Sequence, residues 1–114
     1  MIAIEGVDPK MIANNLTPFR PIHPGEMIKD EIEYRGISQR KLAAQMGISH
    51  TLLNEILNGK RAVSVQYALL FEAALGIPAH IWIRQQTQYD MQVAKSDESF
   101  LERLANIRKI AAVL

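Results

Sequence analysis

The sequence contains no cysteine among its 114 residues. A disulfide framework and a thiolate zinc site are therefore excluded, and the composition fits a reducing compartment such as the cytoplasm. The sequence also lacks an apolar run near 18 residues, and it lacks a charged segment followed by an apolar one at its start. Neither membrane insertion nor export is predicted, and the length indicates one domain with a modest core.

Motifs for catalysis and for bound cofactors are missing as well. No glycine-rich phosphate loop and no His-Glu-x-x-His motif occurs, and the acidic pairs Asp30-Glu31 and Asp97-Glu98 lie at predicted helix starts, where the helix dipole explains them. His23 and His80 have no second ligand at metal spacing, so a capping or packing role is predicted for His23. We expect no metal site, no cofactor and no enzymatic activity.

The most specific pattern lies in residues 38–61, which predict two short helices joined by a tight turn. Residues 39–46 are good helix formers, and residues 50–58 continue as a second helical run. Two serines fit N-caps, and two glycines fit the positions that follow a helix: Ser38, Ser49, Gly47 and Gly59. The spacing therefore predicts a helix-turn-helix.

The second of these helices has two unlike faces. Its polar residues share an arc of about 140°, and they are His50, Thr51, Asn54, Glu55 and Asn58. Apolar candidates for the core of the motif are Leu42, Ala43, Met46, Ile48, Leu53 and Ile56. The same sequence pattern is expected for an amphipathic helix pair whose polar face contacts only solvent. The agreement of both caps, the turn glycine and residues 58–61 in spacing favours DNA binding instead.

Excess positive charge is nearly absent, since 13 Lys and Arg stand against 12 Asp and Glu. The distribution is nevertheless uneven. Residues 1–34 carry three basic and six acidic residues, residues 35–61 carry five basic residues against one acidic residue, and residues 62–114 carry five of each. The predicted helix-turn-helix therefore coincides with a +4 segment, which favours phosphate contact that is modest per monomer and stronger in a dimer.

Further helices are predicted on both sides of the motif. Pro24 opens one that ends near Gly36, residues 65–75 and 79–95 form two more, and a last one runs from Ser96-Asp97 to about Val113. Core candidates outside the motif are Met27, Ile28, Ile32, Tyr34, Ala68, Leu69, Phe71 and Leu75. For Trp82 a core position is preferred over an interface anchor. Ahead of Pro24 we expect a short strand or flexible arm over 1–7, a short helix over 9–15 and a linker over 16–23.

The central stretch resembles the Xre/Cro-type helix-turn-helix family through Ser38-Gln39, Leu42-Ala43, Gly47-Ile48-Ser49 and Asn58-Gly59-Lys60. With its flanks it resembles the HigA branch, also called VapI, antitoxins of type II toxin–antitoxin modules. The flanking matches are Pro21-Ile22-His23-Pro24-Gly25-Glu26, Gly76, Trp82, Gln86 and Tyr89-Asp90. The resemblance implies an all-α, five- to six-helix, lambda-repressor-like bundle: an N-terminal arm (1–23), a DNA-binding domain (24–95) and an extra C-terminal helix (96–114).

The resemblance implies a DNA-binding antitoxin that represses its own operon and neutralises an mRNA-cleaving toxin. The exposed arc predicts base reading by His50, Thr51, Asn54 and Glu55, with Glu55 either accepting from cytosine or holding a neighbouring Arg. The equivalent family positions imply phosphate contacts from Gln39, Ser49, Asn58, Lys60 and Arg61. Two alternatives stay open: a stand-alone Xre/Cro-type repressor, and a protein-interaction inhibitor without DNA binding.

The expected partners are a palindromic DNA operator, a second copy of the chain and a small basic toxin. An apolar seam of a/d type in the last helix could form a homodimer or pack on its own bundle; it consists of Phe100, Leu104, Ile107, Ala111 and Leu114. The acidic balance of residues 1–34, with Glu31 and Glu33 on the first predicted helix, could steer a basic toxin.

Overall fold

The structure is a computed structural model that describes residues 20–113. Six helices make up its regular structure: α1 (Pro24–Tyr34), α2 (Gln39–Met46), α3 (His50–Leu57), α4 (Val65–Leu75), α5 (Ala79–Lys95) and α6 (Glu98–Ala112). The all-α prediction is confirmed. The strand or arm, the short helix and most of the linker predicted over residues 1–19 lie outside the described residues, as does Leu114.

Side-chain caps start five of the six helices. The hydroxyls of Ser38, Ser49 and Ser64 each accept a hydrogen bond from the backbone N–H three residues further on, at 3.4, 3.0 and 3.2 Å. Asp97 caps α6 in the same way. His23 caps α1 through Nδ1, which accepts from the N–H two residues on at 2.9 Å. The capping role predicted for His23 is confirmed.

The core is formed by α1 to α5 and is apolar. Its buried members are Ile28, Ile32, Leu42, Ala43, Met46, Leu53, Ile56, Leu57, Val63, Ala68, Phe71, Leu75, Ala79 and Trp82. The buried polar side chains of the described residues are His23 and Gln86. Trp82 is only 4% exposed, so its predicted core position is confirmed. Ile48, in the turn between α2 and α3, is half-buried against this core.

Three residues predicted to be buried are exposed: Met27, Tyr34 and Leu69. On α1 the inward face is set by Ile28 and Ile32, and successive residues turn by about 100°, so Met27 points to the side. Tyr34, in the last turn of α1, is 89% exposed. Leu69 follows the fully buried Ala68 and is turned out of the core by the same rotation.

The backbone at the start of α1 packs directly against the backbone at the end of α3. A Cβ added to Gly25 would lie 1.8 Å from the carbonyl oxygen of Ile56, which no side chain can accommodate without movement of a helix. Glycine is therefore required at this position for close approach rather than for its backbone freedom. The contact fixes the C-terminal end of α3 against the first turn of α1.

The last helix, α6, packs mainly against α5 and contributes no buried residue. Leu104 is half-buried, whereas Phe100, Leu101, Ile107 and Ile110 are exposed. The seam residues that the structure describes, Phe100, Leu104, Ile107 and Ala111, lie on α6, and none of them is buried in the bundle of the same chain.

Candidate nucleic-acid interface

The turn between α2 and α3 has the geometry that the sequence predicted. Gly47 adopts φ 70°, a left-handed conformation that favours glycine. The N–H groups of Gly47 and Ile48 donate to the carbonyls of Ala44 and Ala43, at 3.2 and 3.0 Å, and so close the end of α2. These bonds fix the direction in which α3 leaves the turn.

Helix α3 buries one face and exposes the other. Leu53, Ile56 and Leu57 are fully buried, and the polar face lies on the outside: His50, Thr51, Asn54 and Asn58 are exposed and Glu55 is half-buried. The structure therefore brings all four predicted base-reading residues together on the outer side of one helix. Three of them lie in its first five residues.

Glu55 is engaged by an arginine from the following loop. Its Oε2 accepts hydrogen bonds from Nε and NH2 of Arg61, at 3.1 and 2.9 Å. Of the two roles predicted for Glu55, this structure shows the second, in which the carboxylate holds a neighbouring Arg. The pair also places Arg61 beside the polar face of α3.

Asn54 of α3 and Asn58, the residue that follows α3, are joined by their side chains. Nδ2 of Asn58 donates to Oδ1 of Asn54 at 3.1 Å and to the Asn54 carbonyl at 2.8 Å. Oδ1 of Asn58 accepts from Nζ of Lys29, on α1, at 3.4 Å. The side-chain hydrogens of Asn58 are thus directed at Asn54 rather than at solvent.

The basic residues of the segment divide into those that form ion pairs within the described chain and those that do not. Arg35 forms an ion pair with Glu31 at 2.8 Å and donates through NH1 to the carbonyl of Leu75 at 2.8 Å, which ties α1 to the end of α4. Arg40, Lys41 and Lys60 are exposed and form no ion pair with another described residue.

The remaining predicted phosphate contacts lie at helix starts. Gln39 is half-buried at the first position of α2, and Ser49 is the exposed cap of α3. Arg40 and Lys41 belong to the basic segment but are not among the predicted phosphate contacts. Their exposed position in the first turn of α2, where backbone N–H groups also attract anions, makes them further candidates.

The loop that carries Lys60 and Arg61 is held from α5. Gln86 is buried; its Oε1 accepts from the N–H of Val63 at 2.8 Å, and its Nε2 donates to Asp90 at 2.9 Å. Two of the flanking residues that carry the family resemblance, Gln86 and Asp90, therefore support the loop behind the interface. Sequence pattern alone gave them no physical role.

A second support lies at the start of α1. The His23 ring packs edge to face on Tyr89 of α5. Burial lowers the pKa of His23, although the nearby carboxylates of Glu26 and Asp90 act to raise it. For Glu26, burial acts to raise the pKa, but hydrogen bonds from the His23 N–H and from Arg20 outweigh it and lower the pKa overall.

A metal site and a membrane-spanning helix each have structural requirements that residues 20–113 do not meet. Within that range no group of three His, Cys, Asp or Glu side chains is arranged to hold a metal ion. No helix in the described part of the chain is long and apolar enough to cross a membrane.

A bundle that presents an exposed polar helix after a glycine turn is the arrangement of helix-turn-helix DNA-binding proteins. The family model described as Helix-turn-helix matches residues 28–82. Virulence-associated protein I of Dichelobacter nodosus is 33% identical over 78 residues, which cover 68% of this chain and 72% of the relative.

Solved structures of HigA antitoxins are similar to this chain as well. An addiction module antidote protein of the HigA family from Coxiella burnetii has a TM-score of 0.66 and 31% identity, covering 75% of this chain and 95% of its own. Pseudomonas aeruginosa antitoxin HigA, solved with the higBA promoter, has a TM-score of 0.64 and 28% identity, covering 83% and 96%. The chain belongs to the Xre-type helix-turn-helix family, in its HigA and VapI antitoxin branch.

Proposed function

We propose that this protein binds a palindromic operator as a homodimer, represses its own operon and neutralises an mRNA-cleaving toxin. The observation that carries the DNA-binding part is the exposed polar face at the N-terminal half of α3, flanked by exposed basic side chains. The Pseudomonas aeruginosa relative, solved with promoter DNA, supports this reading by similarity. A cytoplasmic location goes with the proposal, because operator DNA is found there.

In this proposal α3 enters the major groove, and the exposed polar residues His50, Thr51 and Asn54 reach base edges. His50 and Asn54 can donate or accept hydrogen bonds, and the methyl group of Thr51 can touch thymine. Glu55 contributes by holding Arg61, and it reads cytosine only where that ion pair opens.

The phosphate backbone is contacted around this face. Lys60 and Arg61 approach from the loop after α3, and Gln39 and Ser49 approach from the starts of α2 and α3. The prediction for Asn58 has the least geometric support of the five, because its amide hydrogens are directed at Asn54. Arg40 and Lys41 add positive charge beside Gln39.

The dimer is proposed to form through α6. This helix has 15 residues, it buries none of them in its own bundle, and Phe100, Leu104 and Ile107 lie on one of its faces. A helix of this length is marginally stable without packing, so a second copy of the same face is a suitable cover. Two-fold symmetry would then place two α3 helices about 34 Å apart, one turn of DNA.

The toxin partner is proposed from similarity to HigA antitoxins, with one physical observation in support. Asp30 and Glu33 of α1 are exposed and form no ion pair with another described residue, whereas Glu31 is engaged by Arg35. An mRNA-cleaving toxin is expected to be basic, so these carboxylates can steer its association.

Two experiments test the proposed function. Band-shift titration with the DNA immediately upstream of the operon that contains the protein's reading frame should show tighter binding than a scrambled duplex of equal length. Expression of the adjacent small reading frame should stop growth, and co-expression of this protein should restore it. If the upstream DNA is bound specifically but the adjacent frame is harmless, the stand-alone repressor takes the antitoxin's place. If neither duplex is bound while growth is restored, the protein is an interaction inhibitor.

A further inference from the structure

We infer that Asn58 is a positioning residue that fixes how Asn54 presents its amide to DNA. The inference rests on the proposed function of α3 as the recognition helix. Its structural basis is the pair of hydrogen bonds from Asn58 Nδ2 to the side-chain and backbone oxygens of Asn54, at 3.1 and 2.8 Å. Asn58 therefore acts through Asn54 rather than by touching a base.

Lys29 determines which way the Asn58 amide faces. An ammonium group can only donate hydrogen bonds, so the Asn58 oxygen turns toward Lys29 Nζ, at 3.4 Å. A reversed amide would place Nδ2 against the ammonium and Oδ1 against both Asn54 oxygens. Because Lys29 lies on α1, the orientation of Asn58 at the end of α3 is set by a neighbouring helix.

The consequence for Asn54 is that its side-chain oxygen is turned along the exposed surface toward Asn58. Because Oδ1 accepts from Asn58, the two hydrogens of the Asn54 Nδ2 group face away from Asn58 and are left to meet DNA. In the major groove, guanine O6 and N7, adenine N7 and thymine O4 accept hydrogen bonds, whereas cytosine offers only a donor. The base touched by Asn54 is therefore an acceptor-bearing base, and cytosine is rejected there.

The test is selection from a pool of duplexes with a randomised central segment, using the full chain. Wild type and Asn54→Ala together identify the base pair that Asn54 reads. At that base pair, Asn58→Ala should lose about 3- to 10-fold of the discrimination against cytosine, the worth of one hydrogen bond. Asn106→Ala, in an exposed residue of α6, is the matched control and should leave the preference intact.

Two further variants separate positioning from a general structural role. Asn58→Asp cannot donate, so its carboxylate repels Asn54 Oδ1, turns that oxygen outward and reverses the preference toward cytosine. Lys29→Met removes the ammonium that orients Asn58 and should relax the preference at the same base pair. A loss of stability alone would weaken binding to every sequence equally.

The inference is overturned if Asn54→Ala changes the preference at one base pair while Asn58→Ala and Asn58→Asp leave it unchanged. That result would not affect the proposed function. If wild type selects no sequence from the pool, the proposed function itself fails, and the inference fails with it.

Discussion

The imidazole of His23 meets the ring of Tyr89 edge to face, with centroids 4.9 Å apart and planes inclined by 77°. On its other side, Nδ1 accepts a hydrogen bond from the N–H of Gly25, so this nitrogen carries no proton in the folded protein. Protonation would remove the cap of α1 and place a charge in a buried position.

The first prediction concerns pH. The pKa of His23 is lowered by burial in the folded state, so the unfolded chain takes up a proton first as the pH falls below about 6.5. The stabilising contribution of His23 is complete above that value and decreases below it. Denaturant unfolding at pH 5, 6 and 7 should show a free energy of unfolding that rises with pH.

Two variants serve as controls for this prediction. His23→Asn keeps an N-capping oxygen but cannot titrate, so its stability should change less over pH 5 to 7. His80→Asn, in an exposed residue, should behave as wild type. The lowered pKa of Glu26 matters only below its ordinary value of 4.5. Equal pH dependence in His23→Asn and wild type would contradict the assignment.

The second prediction concerns the contact between α1 and α3. Gly→Ala within a helix ordinarily stabilises it by about 1 kcal/mol. At Gly25 the added Cβ would overlap the Ile56 carbonyl oxygen, and we expect a loss of about 1–3 kcal/mol instead. Thermal unfolding of Gly25→Ala measures this. A variant as stable as wild type would show that the helices are not held at the distance described.

The third prediction compares two arginines of the basic segment. Arg35→Ala removes the hydrogen bond to the Leu75 carbonyl and should cost about 1–3 kcal/mol of folding stability. It should leave the salt dependence of DNA binding unchanged. Arg40→Ala should do the opposite, with stability within about 0.5 kcal/mol of wild type and a slope of log affinity against log salt smaller by about 0.9. Identical effects of the two variants would rule out this division of roles.

The fourth prediction concerns the α6 face. Ile107 is 54% exposed within its own chain, so Ile107→Glu should leave the monomer folded while disrupting the dimer. Asn106→Glu places the same charge on the opposite face and should remain dimeric. Sedimentation at micromolar concentration distinguishes them. A wild-type protein that stays monomeric, even on a palindromic duplex, would refute the dimer.

The sequence predicted the features of this structure that arise from local interactions, and it did not predict those that arise from packing between helices. The caps at Ser38 and Ser49 and the turn at Gly47 were predicted because such signals act over a few residues. The exposure of Met27, Tyr34 and Leu69 was not predicted, because it depends on which helices pack against each face.

In the candidate site, too, local features were predicted and tertiary contacts were not. Helical periodicity placed His50, Thr51 and Asn54 on one outer face correctly. The use of Arg35 as a link to α4 and the bond from Gln86 to the α3–α4 loop were not predicted, because they join residues 40 and 23 positions apart. Such pairings depend on tertiary geometry, which spacing along the chain does not specify.

The central claim is that α3 reads base sequence while the neighbouring loop contacts phosphates. The most direct measurement is the affinity of wild type, Asn54→Ala and Lys60→Ala for the protein's own upstream DNA and for random duplex, at two salt concentrations. Asn54→Ala should lose about 1–3 kcal/mol on the upstream DNA and little on random duplex. Lys60→Ala should weaken both alike and lower the salt slope by about 0.9. Equal losses on both duplexes for Asn54→Ala would contradict the account.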